Sequence, residues 1–251
     1  MINGLKNRLI VLTLATVASM PVVTAQAADL IVATDASFVP FAFQENGKYI
    51  GFDIDMLGAI TKRMGVTYEL RPMDFNGIIP ALQTGNIDMA IAGMTIKSER
   101  MKVVDFSHPY YNTSVRMMVS SKNTSINTAA DMKGKVVAVK TGTTSVQIAK
   151  KYEAKEIKQF PNIDGAYMEL RAGGADVAIY DAPNVLFYIK TAGNGAVKAV
   201  GPDMEAQTYG IAFPLNSKWR QKVDIALLQM MEDGEYKAIY EKWFGKAPSQ
   251  P

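Results

Sequence analysis

The residues able to do chemistry in this chain stand where strand-like runs stop. Asp35 follows LIVAT, Gly93 and Thr95 follow MAIA, Lys140 follows VVAV, and Asp181 follows VAIY. Arg100 comes one short helical turn after Thr95. The set combines carboxylates with an ammonium and a guanidinium, and an α-amino acid carries the complementary groups. Its carboxylate suits the forked, two-point hydrogen bond of an arginine. Thr95, its backbone N–H and the start of a helix near Ser98 can add donors. Its ammonium needs a carboxylate, which Asp181 can supply, and a carbonyl or hydroxyl, which the Gly93 carbonyl can supply. Either ligand charge buried without its partner is costly. Such a site therefore needs one cation and one anion facing different ends of one small molecule.

Each residue alone has a plainer reading. Arg100, inside KSERMK, reads as a solvated helix charge. Asp181 reads as the N-cap of the helix DAPNVLFYI, a role compatible with ligand binding. Lys140 reads as an exposed charge before Thr141 and Gly142. Phe38 in ASFVPF and Phe75 in MDFNG read either as core aromatics or as rings covering a ligand's apolar stem.

The elements that must position these groups alternate. LIVATD (30–35), TYELRP (67–72), MAIAGM (89–94), VRMMVSS (115–121), KVVAVKTG (135–142), IKQFP (157–161), VAIYD (177–181) and YGIAFP (209–214) have strand character. FDIDMLGAITKRMG, NGIIPALQTG, NIDGAYMELRAGG, DAPNVLFYIKTAG and a final pair over 217–245 have helical spacing and helix-ending glycines. This alternation predicts an α/β protein with largely parallel sheets. Two stretches also match each other, LQTGNIDMAIAG (82–93) and LRAGGADVAIYD (170–181). Leu82, Gly85, Asp88, Ala90 and Ile91 share offsets with Leu170, Gly173, Asp176, Ala178 and Ile179. Any helix–turn–strand unit can look so; the alternative is two similar lobes, with Gly93 and Asp181 at matching strand ends. Ligands of α/β sheets bind beyond the carboxyl ends of the strands, so facing lobes would share one cleft.

Composition narrows the function further. There is no cysteine, which excludes disulfides and thiolate metal sites, and the single histidine, His108, excludes a two-histidine metal site. His108 sits in DFSHPYY with no obvious catalytic partner. The first 27 residues read as a secretory leader: Lys6 and Arg8, an apolar run from Leu9 to about Val23, then Ala25-Gln26-Ala27, with cleavage after Ala27. No later stretch is long and apolar enough to cross a bilayer. Without Lys6 and Arg8 the chain has 25 basic residues against 24 acidic. That balance gives no reason to expect nucleic acid or an acidic membrane as partner.

GFDIDM (51–56) resembles the signature of the family 3 bacterial extracellular solute-binding proteins, which bind polar amino acids. The resemblance extends through ATDASFVPF, PMDFNGIIPALQTGNID, GKVVAVKTGT, QFPNIDGAYMEL, IKTAGNG and YGIAFP, and is greatest to glutamine-binding members that serve ABC importers. It implies a two-lobe type II periplasmic binding protein fold, α/β, with two hinge-crossing strands. Lobe 1 would take 28–109 and 210–251, lobe 2 115–204, and the crossings 110–114 and 205–209. Arg100 would hold the ligand carboxylate, assisted by Thr95 and the Ala92–Gly93 backbone, and Asp181 the ammonium. Phe38 and Phe75 would sandwich the stem, while Asp35 and Lys140 face a terminal amide, one accepting and one donating. Two positions near the ligand depart from the glutamine-binding pattern: Thr144 stands for a glycine, and Tyr180 for a histidine.

The expectation is a periplasmic, monomeric, non-enzymatic protein, without cofactor or metal, that captures L-glutamine for an ABC transporter permease. The rivals are the same fold binding glutamate, histidine or arginine, an exported dehydratase using Asp35, Lys140 or Asp181 as general acid, and a receptor's sensory domain.

Overall fold

The computed structural model describes residues 27–248. The expected leader up to Gln26 lies outside the described residues. Strand β1 (Leu30–Thr34) is an apolar run buried except at Ile31. A small antiparallel sheet follows, β2 (Ser37–Phe38), β3 (Ala42–Glu45) and β4 (Lys48–Ile50). Helix α1 (Phe52–Met64) has acidic Asp53 and Asp55 in its first turn and basic Lys62 and Arg63 in its last, the arrangement that a helix dipole favours. It buries Phe52, Met56, Leu57 and Ile60 at helical spacing. Then come β5 (Tyr68–Pro72), α2 (Phe75–Gln83), β6 (Met89–Thr95), the single turn α3 (Ser98–Met101) and β7 (Asp105–Phe106).

A ten-residue strand, β8 (Tyr111–Ser120), leads into the second half. There β9 (Val136–Lys140), α4 (Thr144–Lys151), β10 (Glu156–Phe160), α5 (Ile163–Arg171), β11 (Val177–Asp181) and α6 (Ala182–Thr191) alternate. The 17-residue β12 (Val197–Phe213) returns to the first half, where α7 (Arg220–Asp233) and α8 (Glu235–Phe244) pack on α1. The large sheet runs β10-β9-β11-β8-β12-β6-β1-β5, with β7 paired to β12.

Two three-stranded parallel groups thus flank a central antiparallel pair, so the sheet is mixed rather than largely parallel. β8 runs antiparallel to β11, and β12 antiparallel to both β6 and β8. The sequence disguises these long strands. VRMMVSS is the end of β8 and YGIAFP the end of β12. Gly201-Pro202, a turn-like pair, is carried inside β12 where its register against β8 shifts between Val200 and Met204. Helix α4 and the β2–β4 sheet were also not read from the pattern, being too short to show a clear period.

The internal match is structural. Gly85 and Gly173 both take positive φ, 70° and 79°. Asp88 accepts from the Ile31 amide at 2.7 Å, and Asp176 from the Val136 amide at 2.8 Å. The pairings Val32 with Met89 and Val137 with Val177 then coincide. In each half, one aspartate ties the start of the outgoing strand to the start of its neighbour. Replacing Asp88 by Ala orphans a part-buried amide and is expected to cost about 1–3 kcal/mol. Asp176→Ala, at a more exposed place, is expected to cost about 0.5–1.5 kcal/mol. Urea unfolding checks both, and an unchanged midpoint for Asp88→Ala would refute the tie.

Candidate functional site

The matched halves bring matched strand ends together. Ile31 and Val136 are equivalent, so Asp35 and Lys140, each four residues on, are equivalent as well. These two side chains meet. The Lys140 ammonium, fully buried, donates to Asp35, whose side chain is 3% exposed. It donates also to the Ser37 hydroxyl at 2.8 Å. Ser37 Oγ in turn lies 2.7 Å from Asp35 Oδ1 and 3.0 Å from Asn162 Oδ1 on the far side. Lys140 is therefore no exposed turn charge.

Gly93 and Asp181 are the second matched pair. Gly93, the fifth of the seven buried residues of β6, takes φ 55°, and a Cβ there would sit 2.2 Å from the Phe38 ring. Its amide is already engaged, 3.0 Å from Asp53 Oδ2 and 3.2 Å from the Tyr110 hydroxyl. The Gly93 N–H is thus satisfied within the protein. Asp181 occupies the N-cap of α6 but makes no capping bond. Its carboxylate accepts instead from the Tyr209 hydroxyl on β12 at 2.5 Å. Burial pushes the Asp181 carboxyl up to about 6, against the pull of the Tyr209 hydrogen bond and of the Arg100 and Lys140 charges.

Arg100 is not a solvated helix charge. Its guanidinium donates to the Thr95 carbonyl at 2.8 Å and, across the cleft, to the Gly142 carbonyl at 3.1 Å. It lies 5.3 Å from the centroid of the Phe75 ring, a cation–π contact. Burial presses its pKa down from the ordinary guanidinium value, while the Asp181 and Glu99 charges hold it up. Thr95 and Thr144, from opposite halves, are joined through one side chain. Thr95 Oγ1 donates to Gln207 Oε1 at 2.8 Å, and Gln207 Nε2 donates to Thr144 Oγ1 at 2.9 Å. Phe38 stacks on Phe41, centroids 4.6 Å apart, and presents edges to Tyr180 and Tyr209 at 5.6 and 6.1 Å. Ala92 is buried beside Gly93 in β6. Phe75, the first residue of α2, is buried among Ala33, Ile78 and Ala92.

Contacts across the two halves thus join Asp35 with Lys140, Thr95 with Thr144 through Gln207, Arg100 with Gly142, and Phe38 with Tyr180; Asp181 reaches the crossing strand β12, and Phe75 and Ala92 share the core cluster beside β6. Two open pockets flank these contacts. One, of about 460 Å³, lies between Arg100 and the start of α4; the other, of about 290 Å³, lies at Asp35, Ser37 and Asn162. Sequence reasoning missed Ser37, Asn162, Gln207 and Tyr209, and also Asn184, which donates to the Val39 carbonyl at 2.7 Å. Gln207 and Tyr209 lie inside the expected 205–209 crossing, and that was the available signal. His108 has its amide on Asp224 of α7 and its carbonyl accepting from Ser107. Among the described residues no cluster of histidines and acids fit for a metal occurs, and no helix is long and apolar enough to cross a membrane.

A model of the bacterial extracellular solute-binding proteins, family 3, matches residues 30–246. The chain belongs to that family. A curated family relative, the arginine-binding extracellular protein ArtP of Bacillus subtilis, is 34% identical over 221 residues, 86% of each chain. Among solved structures, an ancestral arginine-binding protein bound to glutamine is 48% identical with TM-score 0.83, over 86% of this chain and 98% of that one. The ancestral amino acid-binding protein AncCDT-1, a precursor of cyclohexadienyl dehydratase, is 41% identical with TM-score 0.79, over 86% and 95%. The fold of this solute-binding protein is accordingly the two-lobe type II periplasmic binding protein fold, crossed by two strands, β8 and β12.

The raised Asp181 carboxyl sets a pH dependence. A carboxyl whose folded pKa lies above its unfolded value adds stability in acid that is lost as pH rises through the folded value, here about 6. Asp53, raised by burial to about 7, acts with the same sign. Asp181→Asn is expected to match the ligand-free wild type near about pH 4. It should exceed the wild type near about pH 8, by on the order of 1–3 kcal/mol. Urea unfolding at the two pH values checks this, and equal stabilities at both would refute it.

Proposed function

We propose that this protein captures L-glutamine in the periplasm and presents the closed complex to the permease of an ABC transporter. The observation that carries the reading is a cation and an anion supplied by different halves: Arg100, held by the Thr95 and Gly142 carbonyls and the Phe75 ring, and the buried Asp181, whose bonded partner is a hydroxyl and not a cation. Arg100 takes the ligand carboxylate with Thr95 and the edge of Thr144, and Asp181 takes the ammonium together with a carbonyl of the Ala92–Gly93 segment. The rings of Phe38 and Phe75 line the stem, with Tyr180 behind Phe38. Lobe 1 comprises 28–109 and 210–251 and lobe 2 115–204, hinged at 110–114 and 205–209. The protein acts as a monomer and breaks no bond.

The side-chain end supports an amide. Asp35 and Lys140 neutralise each other in a buried pair, so the best guest is neutral, with one donor end and one acceptor end. The amide NH2 then donates to Asp35 and its oxygen accepts from Lys140. A cationic side chain is repelled by Lys140 and a carboxylate by Asp35. The relatives that bind arginine keep that amino acid as the second reading, and the likeness to a dehydratase precursor keeps an enzyme as the third. Asp35, Lys140 and Asp181 are all used more simply in pairing charge, and a turnover assay separates the readings.

Arg100→Ala and Asp181→Ala are each expected to weaken L-glutamine binding by about 3–5 kcal/mol, since one ligand charge is left buried and unpaired. Calorimetry on refolded, ligand-free protein against all twenty amino acids is the measurement. Unchanged affinity removes that residue from the site, and arginine giving the strongest heat overturns the glutamine assignment. Lys140→Ala leaves Asp35 as an uncompensated acid. The ratio of arginine to glutamine affinity is expected to rise at least about tenfold, and a static ratio would place Lys140 away from the ligand side chain.

A further inference from the structure

Asp53 lies outside every role assigned so far, and its surroundings are unusual. It stands at the second position of α1, with no exposed surface and with no cation among its hydrogen-bond partners. A fully buried carboxylate without a cation is costly. Packing alone would be served by an apolar side chain, so the carboxylate answers a polar demand. The demand comes from two converging donors. The Gly93 amide donates to Oδ2 at 3.0 Å, and the Tyr110 hydroxyl donates to Oδ1 at 3.0 Å. Those donors are themselves 3.2 Å apart. A carboxylate accepts from both, one donor at each oxygen.

We propose that Asp53 is a positioning residue for the ligand's ammonium: by tethering the Gly93 amide, it keeps that donor turned away from the ammonium. This rests on the amino-acid reading above. A peptide group is planar and trans, so fixing the Gly93 N–H on Asp53 points the Ala92 carbonyl the opposite way. Gly93 also holds φ 55°, against the Phe38 ring, a place and a conformation that favour glycine. An untethered Gly93 N–H would bring a donor toward a cation that needs acceptors. The repeat sharpens the point. Where the second half places the Asp181 carboxylate, the first half places Gly93, whose N–H is held by Asp53. The same carboxylate anchors Tyr110, whose amide donates to the Tyr209 carbonyl at 2.9 Å and whose carbonyl accepts from the Tyr236 hydroxyl at 2.8 Å. Asp53 thereby ties the ammonium side of the cleft to the start of the crossing strand β8.

The test compares wild type with Asp53→Asn, an isosteric change that replaces one acceptor by a donor. The Kd for L-glutamine by calorimetry is expected to rise at least about tenfold in the variant. A folded variant binding within about threefold of the wild type overturns the proposal. Should the variant not fold, the wild type alone decides by NMR. The Gly93 amide proton is expected to exchange slowly with and without L-glutamine, as the tether to Asp53 requires, and the Ala92 carbonyl carbon to shift on adding L-glutamine, as contact with the ammonium requires. A fast-exchanging Gly93 amide in the free protein, or an unmoved Ala92 carbonyl in the glutamine complex, overturns the proposal. A wild type that gives no heat with any amino acid defeats the functional reading instead, a result distinct from wild type and variant binding alike.

Discussion

Burying opposite charges that belong to different halves of the chain is the constraint on which this structure depends. An isolated ammonium or carboxylate withdrawn from water costs several kcal/mol even after relaxation, and only close, well-bonded partners offset it. Lys140 has no exposed surface, and its partners Asp35 and Ser37 lie in the other half. The two halves must therefore be held within hydrogen-bond reach while each keeps its own core. The long strands β8 and β12 meet that need: β8 pairs with β11 of the second half, β12 with β6 of the first, and the two pair with each other.

One folding unit used twice supplies the rest. Each half builds three parallel strands, closes a helix on a positive-φ glycine and ties two strands with an aspartate. Repeating the unit brings equivalent strand ends face to face. Its differences at those ends make the cleft useful: aspartate against lysine at one matched pair, glycine against aspartate at the other. A strict repeat would set like charge against like, and no zwitterion could sit there.

Asp181 and Arg100 differ from the Asp35–Lys140 pair in their satisfaction. Asp181 has a tyrosine hydroxyl rather than a bonded cation, and its carboxyl rises to about 6. Arg100 donates to two backbone carbonyls, neutral partners for a charged group. Both would gain from a ligand of opposite charge, and that difference in energy between empty and filled cleft is what a binding protein needs to close on its cargo.

Much of this was legible in the sequence. Alternating runs marked β1, β5, β6, β9, β10 and β11 to within a residue or two, because period-2 and period-3.6 patterns follow from which faces are buried. The shared offsets of Leu82–Ile91 and Leu170–Ile179 marked the repeat, and charges at strand ends marked a cleft. The central strands were half hidden, since β12 carries Gly201, Pro202 and a polar stretch that only neighbouring strands hold extended. Residue types, local periodicity and the repeat were determined by the sequence itself, being products of short-range hydrogen bonding and side-chain spacing. Which distant groups meet was decided by the tertiary structure alone. Lys140 with Asp35, Gln207 between Thr95 and Thr144, and Asp53 beneath Gly93 all depend on strand register and the facing of two halves. No local pattern encodes a contact made across tens of intervening residues.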